Sequence, residues 1–157
     1  SSKLGLQEFM SHCSKVIKEI KLGRILMSFS YLKIENNLLK ITSAGMPPIF
    51  YYDNNSKTVE EIVIQGMPLG AMKNASYNLV EKEIKPGDTI LLLTDGLPEQ
   101  MNAEEEMFDY SRVKKHFNDI IENSPNNIIE KLVSAGDDWM GSRVQDDDIS
   151  FVVIRIK

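Results

Sequence analysis

Cysteine, histidine and long apolar runs are scarce in this sequence, and each absence narrows the class of protein. The chain has 157 residues, with one cysteine, Cys13, and two histidines. A single cysteine cannot form a disulfide within the chain, which is typical of a reducing cytoplasm. No apolar run approaches the ~20 residues that a membrane-spanning helix needs, and no signal-peptide pattern opens the chain. We therefore expect a cytoplasmic protein.

Positive charge is also in short supply. Lysine and arginine number 18 against 23 aspartates and glutamates, which gives a net charge of −5. Nucleic acids and anionic membranes attract basic surfaces, and the sequence shows no basic patch beyond short lysine pairs. We therefore expect no nucleic-acid partner. The apolar fraction of 42% and the charged fraction of 26% are those of a globular protein, and the length suits one domain over residues 1–157.

Apolar periodicity predicts a helix followed by strands. Helical spacing runs from Leu6 to Ile20, with Gly23 as the expected stop. Because this pattern starts within the first residues, we expect the chain to be a portion of a longer protein. Alternating apolar residues then predict two hairpins with turns at 35–37 and 53–56. A third antiparallel pair is expected across the turn at 85–88.

The last third of the sequence changes to helical spacing and then ends on a strand. Two helices are separated by Ser124 and Pro125, which suit the N-cap and the first turn of the second helix. The final strand, "ISFVVIRI", is almost continuously apolar and is expected to lie in the centre of a sheet. The whole pattern indicates one α+β domain.

Two groups of acidic residues stand at the ends of apolar strands. Asp95 and Gly96 follow the leucine run "LLL", and Asp146, Asp147 and Asp148 precede the final strand. If neighbouring strands bring both groups to one edge, carboxylates without cysteine or histidine favour a hard ion such as Mg²⁺ or Mn²⁺. The alternative is a solvated acidic loop that binds no metal. The two histidines, His12 and His116, fall on helix faces, and we expect neither to be a ligand or a catalytic base.

Four segments together resemble a known family. "ITSAGMPPIFYY", "GMPLGAM", "IKPGDTILLLTDGLPEQMNAEEEMF" and "QDDDISFVVIRIK" are similar, in order and spacing, to the SpoIIE/RsbU-like branch of the metal-dependent (PPM, type 2C) serine/threonine phosphatases. The resemblance covers about residues 25–157. It implies a β-sandwich of two antiparallel sheets flanked by helices, in the order α-β-β-α and truncated at its N-terminus.

The resemblance also implies a reaction and a setting. Members of the family remove phosphate from phosphoserine or phosphothreonine, and bacterial members act on signalling proteins such as anti-sigma-factor antagonists. The implied partners are a phosphoprotein substrate and an upstream sensor domain in the same chain. The location implied is the cytoplasm, including the cytoplasmic part of a membrane-bound sensor.

By the same resemblance, Asp95 and Asp147 are ligands of one metal ion. Gly96, Asp148 and Asp146 are less certain members of the site, and Ser150 holds the place of a threonine. Two Mn²⁺ or Mg²⁺ ions in a complete site acidify a water and clamp the phosphoryl oxygens, so no protein nucleophile is required.

Two departures from the family pattern qualify these expectations. The family's first metal motif, "GD-x-x-G-H-G", has no counterpart before Leu4, and Met46 stands where the family usually has histidine. We expect this chain alone to be weakly active or inactive, with sheet edges that favour a homodimer. The competing hypothesis is a catalytically inactive phosphatase-like module that works through protein contacts. The sequence upstream of Ser1 would discriminate between the two.

Overall fold

A computed structural model describes residues 4–20 and 25–157, so the expected helix stop at Gly23 lies outside the described residues. Contacts divide the chain into two compact units, Ser1–Met46 with Val63–Ile84 and Pro47–Ile62 with Lys85–Lys157. The prediction of a single domain over residues 1–157 stays a prediction. The helices are α1 (Leu6–Glu19), α2 (Tyr110–Asp119) and α3 (Pro125–Met140). The strands are β1 (Phe29–Glu35), β2 (Leu38–Ala44), β3 (Ile49–Asp53), β4 (Thr58–Ile62), β5 (Val80–Glu83), β6 (Thr89–Leu93) and β7 (Phe151–Arg155).

The first unit is a three-stranded antiparallel sheet with α1 packed on it. The strand order is β1-β2-β5. Asn36 and Asn37 connect β1 to β2 with φ values of 50° and 59°. Positive φ at both central residues is the geometry of a type I′ hairpin turn, so the predicted first hairpin is confirmed. Helix α1 buries Met10 against Leu69 and Tyr77, which confirms the helix expected from Leu6.

The second unit is a four-stranded antiparallel sheet with α2 and α3. The strand order is β4-β3-β6-β7, and the β3–β4 hairpin confirms the second predicted hairpin. Both predicted helices are present, and Ser124 caps α3 by accepting a hydrogen bond from the backbone N–H of Asn127 at 3.3 Å. The core of this unit joins buried side chains from the sheet and from both helices: Phe50, Tyr52, Leu91, Leu93, Leu97, Phe108, Val113, Phe117, Ile121, Ile128 and Leu132.

The predicted third hairpin is wrong. A turn does form, since the backbone N–H of Asp88 donates to the carbonyl of Lys85 at 3.1 Å. However, β5 pairs with β2 and β6 pairs with β3, so the turn leads from one sheet into the other. The buried carboxylate of Asp88 explains where β6 begins. It accepts hydrogen bonds from the Tyr51 hydroxyl, from the backbone N–H of Asn54 at 2.9 Å and from that of Lys85 at 2.8 Å.

The central position predicted for the final strand is also wrong. Among the described strands, β7 pairs with β6 alone and is the last strand of its sheet. Phe151 and Val153 pack against the core, whereas Val152 is 53% exposed. The strand is held further by Arg155, whose guanidinium donates to the carbonyl of Asn123 at 2.8 Å and to the hydroxyl of Thr89 at 3.0 Å. No helix in the described residues is long and apolar enough to cross a bilayer.

Candidate metal centre

The leucine run before Asp95 is buried, and the aspartate itself is not. Leu91 and Leu93 face the core of the second unit and are almost inaccessible to solvent. Asp95 lies two residues beyond the end of β6, and its side chain is exposed. The carboxylate therefore avoids the large free-energy cost of burying an unpaired charge. An exposed anion therefore follows the buried strand at the edge of the sheet.

The start of β7 lies beside the end of β6, and Thr94 joins the two segments through hydrogen bonds. The backbone N–H of Thr94 donates to the carbonyl of Ser150 at 3.1 Å. The hydroxyl of Thr94 accepts from the backbone N–H of Ser150 at 3.0 Å and donates to the carbonyl of Asp148 at 3.1 Å. The backbone bond continues the pairing past the last paired residues, Leu93 and Phe151, and the two bonds of the hydroxyl reinforce it. The two acidic groups predicted from the sequence therefore flank the same strand end.

Gly96 allows the two segments to approach closely. A Cβ atom at position 96 would stand 2.5 Å from the backbone oxygen of Asp148 and 3.1 Å from the side chain of Ile149. Carbon and oxygen atoms do not pack at 2.5 Å, so a side chain here would force the backbones apart. The role of Gly96 that the geometry shows is this close approach.

The acidic triplet forms an exposed loop. All three side chains, Asp146, Asp147 and Asp148, are exposed. The backbone N–H of Asp148 donates to Asp147 Oδ1 at 2.7 Å, and Gln145 Nε2 donates to the carbonyl of Asp147 at 2.6 Å. One carboxylate oxygen of Asp147 is thus oriented by the backbone N–H of the next residue. This kind of bond holds a carboxylate in place without burying it.

Two residues that sequence reasoning missed lie near Asp95. The backbone N–H of Glu99 donates to the carbonyl of Asp95 at 2.9 Å, so a single turn joins the two acids. Burial raises the pKa of Tyr110 above its ordinary value, and the negative charges of Glu99 and Asp95 raise it further. Tyr110 is therefore close enough to Glu99 and Asp95 for their charges to act on its hydroxyl. The four-residue spacing of Asp95 and Glu99 was the available signal, whereas the position of Tyr110 depends on tertiary structure.

The donor atoms of this edge suit a hard divalent cation. Exposed carboxylates on two adjoining segments, with carbonyl oxygens nearby, are the ligands that Mg²⁺ and Mn²⁺ prefer. Across residues 4–20 and 25–157, no group of three or more histidine, cysteine, aspartate or glutamate side chains is placed to hold a metal ion. The carboxylates of this edge fit such an ion in their chemistry, and the described residues do not form a full set of protein ligands.

The two histidines lie on helices, as the sequence predicted. His116 stacks on Phe108 with ring centroids 5.5 Å apart, and His12 lines an apolar groove in the first unit. The absence of a catalytic role for either residue stays a prediction.

Comparison with known proteins identifies the family. The family model "Stage II sporulation protein E (SpoIIE)" matches residues 1–157, so the chain belongs to the SpoIIE family. A curated relative is the phosphoserine phosphatase RsbU of Bacillus subtilis (strain 168), which is 25% identical over 136 residues. That match includes 85% of this chain and 39% of RsbU, so the chain spans about two-fifths of the length of this relative.

Solved structures confirm the fold. The SiaA-PP2C domain of Pseudomonas aeruginosa matches 96% of this chain and 61% of its own, with a TM-score of 0.82 and 18% identity. The manganese-presoaked phosphatase domain of SpoIIE from Bacillus subtilis matches 99% of this chain and 67% of its own, with a TM-score of 0.69 and 19% identity. The predicted α+β class with two antiparallel sheets is thereby confirmed, and the chain is a SpoIIE-family PP2C-type phosphatase domain.

Proposed function

We propose that this chain forms part of the active site of a metal-dependent phosphatase that hydrolyses phosphoserine or phosphothreonine on a bacterial signalling protein. The observation that carries the proposal is the junction of β6 and β7, where Asp95 and the segment 146–148 flank one strand end. Membership of the SpoIIE family and the similarity to the phosphoserine phosphatase RsbU support the reaction type. The manganese-soaked SpoIIE structure supports a divalent metal as the cofactor.

Asp95 and Asp147 are the proposed ligands. When bound, Mn²⁺ or Mg²⁺ would supply an acidified water and a positive charge against the phosphoryl oxygens. Asp148 and the carbonyl of Gly96 are secondary candidates, and Asp146 adds negative charge that attracts the cation. Thr94 holds the two segments together through its bonds to Ser150 and Asp148. Asp95 thus follows a strand end directly, whereas Asp147 lies in the exposed loop that leads into β7.

Tyr110 and Glu99 extend the site on the side of α2. The hydroxyl of Tyr110 is protonated at neutral pH, as that of an ordinary tyrosine is, so it can donate a hydrogen bond to an anionic ligand. Glu99 lies one turn after Asp95 and adds a carboxylate on the same side. These two residues are proposed to position the substrate or the ligands rather than to react.

The proposal also includes the rest of the metal site, the location of the protein and its partners. A further carboxylate N-terminal to Ser1 would complete a two-ion site, and the chain alone would then turn over substrate slowly. We further propose a cytoplasmic location, a sensor domain in the same chain and an anti-sigma-factor antagonist as the phosphoprotein partner. A homodimer stays a prediction, and light scattering would test it, since a monomer at all concentrations would contradict it.

The reaction is tested by phosphate release from a phosphoserine protein in Mn²⁺, using a protein that includes the residues upstream of Ser1. We expect Asp95→Asn and Asp147→Asn each to lower kcat/KM by more than about 100-fold, because several kcal/mol of metal-derived stabilisation would be lost. Asp119→Asn, an exposed acid on α2, is the matched control and should retain activity. Near-unchanged rates for either ligand variant would remove that residue from the site.

One observation favours a second candidate function. Because the described residues lack a group of three metal-binding side chains, a catalytically inactive module that acts through protein contacts is the alternative. The same assay separates the two proposals. No Mn²⁺-dependent phosphate release from the longer protein would favour the inactive module.

A further inference from the structure

The second unit has a cleft between α2 and α3 whose lining includes none of the residues proposed for the metal site. Its volume is about 540 Å³. Phe108 and Trp139 form its aromatic part. Its polar lining comes from both helices, in the order Arg112, Lys115, His116, Lys131, Ser134 and Asp138. The spacing along each helix places these side chains on the two facing sides.

The cleft has more positive than negative charge, although the whole chain is acidic. Lys115 and Lys131 are exposed and form no ion pair with any described residue. The charge of Arg112 is balanced by Asp109, which lies 2.8 Å away. Of the side chains that line the cleft, Asp138 is the acidic one, and it faces two lysines that have no such partner among the described residues. Cations gathered in a concave site attract anions more strongly than the same charges dispersed over a surface.

Arg112 is already fixed in place. Its Nη1 atom donates to the carbonyls of Met107 and Phe108 at 3.2 Å each and to Asp109 Oδ2 at 2.8 Å. Its guanidinium carbon lies 4.4 Å from the ring centroid of Trp139. Nη2 and Nε form no hydrogen bond with a described residue, so they remain available to a carboxylate. A pre-ordered arginine loses little conformational entropy when it binds.

Positive charge continues along the other side of α2. A second groove of about 450 Å³ is lined by Lys57, Lys114 and again Lys115. Lys114 pairs with Glu61 at 3.2 Å, and Lys57 donates to the side chain of Asn54 at 2.8 Å. Lys115 therefore borders both grooves, and the basic surface is longer than one small anion. This length suits an extended chain with several carboxylates.

We propose that the basic α2–α3 cleft binds an acidic peptide segment of a partner protein. A peptide is favoured over a nucleic acid for two reasons. Asp138 interrupts the cations of the cleft, so an evenly charged phosphate backbone would meet it, whereas a peptide can place an uncharged residue there. One face of Trp139 is covered by Arg112, which removes a platform for stacking a base. The sequence shows only short lysine pairs, whereas the fold lines one cleft with Lys115 and Lys131 from separate helices.

The test is fluorescence anisotropy of labelled octaglutamate titrated with the chain, without metal, so that its result is independent of the proposed phosphatase activity. We expect binding that weakens with added salt. Lys115→Glu combined with Lys131→Glu should weaken binding by about tenfold or more, equivalent to ~1.4 kcal/mol. Lys85→Glu combined with Lys157→Glu changes the net charge equally at two exposed lysines that line neither groove, and it should weaken binding by less than about threefold.

Three results would overturn the proposal: no binding of octaglutamate, equal weakening by the two charge-reversed pairs, or tighter binding of octathymidylate than of octaglutamate. Lys115→Gln combined with Lys131→Gln removes the charges without reversing them and should give an intermediate loss. Circular dichroism of each variant checks that the fold is retained. If charge reversal unfolds the chain, the binding affinity of the folded glutamine pair is compared with that of the unchanged chain instead, and equal affinities would overturn the proposal.

Discussion

Gly96 lies so close to Asp148 that a Cβ atom on residue 96 would stand 2.5 Å from the backbone oxygen of residue 148. This contact joins the two segments that carry the proposed metal ligands. It also makes position 96 sensitive to the smallest side chain, because the atom in the way is backbone and cannot rotate aside.

Gly96→Ala should therefore separate the ends of β6 and β7 at the proposed site. Overpacking of this kind costs about 1–3 kcal/mol of folding stability. We expect the affinity for Mn²⁺ to fall by about tenfold or more, because the displaced ligands would bind the ion less well. A tenfold loss of affinity corresponds to ~1.4 kcal/mol of binding free energy. Isothermal titration calorimetry measures the affinity. Gly5→Ala is the control, because the nearest atom to its added Cβ is 4.0 Å away, and equal affinities for the two variants would argue against the close-approach role.

Asp88→Asn tests the turn that starts β6. The carboxylate accepts three hydrogen bonds, from the Tyr51 hydroxyl and from the backbone N–H groups of Asn54 and Lys85. An amide cannot accept from all three donors, so the variant should lose about 2 kcal/mol of unfolding free energy. Urea denaturation measures this loss. The exposed control Asp119→Asn should change stability by less than about 0.5 kcal/mol, and a similar small change for Asp88→Asn would show that the turn holds without its carboxylate.

Tyr51 gives a prediction for alkaline pH. Burial raises the pKa of Tyr51, and the hydrogen bond to Asp88 raises it further. A raised pKa means that the folded state keeps a proton that the unfolded state releases above pH ~10. The stabilising effect is complete below that pH and declines as the pH rises above it. Unfolding free energy measured from pH 9 to 12 should fall less steeply in Tyr51→Phe, and identical slopes would contradict the assignment.

The sequence predicted those features that depend on residues close together along the chain. The α1 stripe, the Asn36–Asn37 turn and the Ser124 cap of α3 were all foreseeable, because each depends on neighbours within a few residues. Asp95 and the triplet at 146–148 were foreseeable as strand ends. Strand pairing was one way for the two groups to come to one edge, the family resemblance implied it, and the β6–β7 register supports it.

Pairing between distant strands was not predictable in the same way. Alternation in the segments before and after Lys85 indicates two strands but does not identify their partners, and β5 and β6 pair with β2 and β3. The continuous apolar run of β7 indicates that both faces of the strand are apolar. It does not indicate how many neighbouring strands pair with its backbone, so the position of β7 within the sheet could not be predicted. The cleft between α2 and α3 was hidden for a related reason, since Lys115 and Lys131 meet only through helix packing.

We propose that Asp95 and Asp147 hold a divalent cation at the junction of β6 and β7, and paramagnetic broadening by Mn²⁺ would detect such an ion at this place. Amide resonances of the chain would be recorded during a substoichiometric Mn²⁺ titration. We expect selective broadening at 94–97 and 146–150, which Asp95→Asn and Asp147→Asn should each abolish. Selective broadening elsewhere, for example around Asp137 and Asp138 on α3, or a pattern unchanged in both variants, would contradict it.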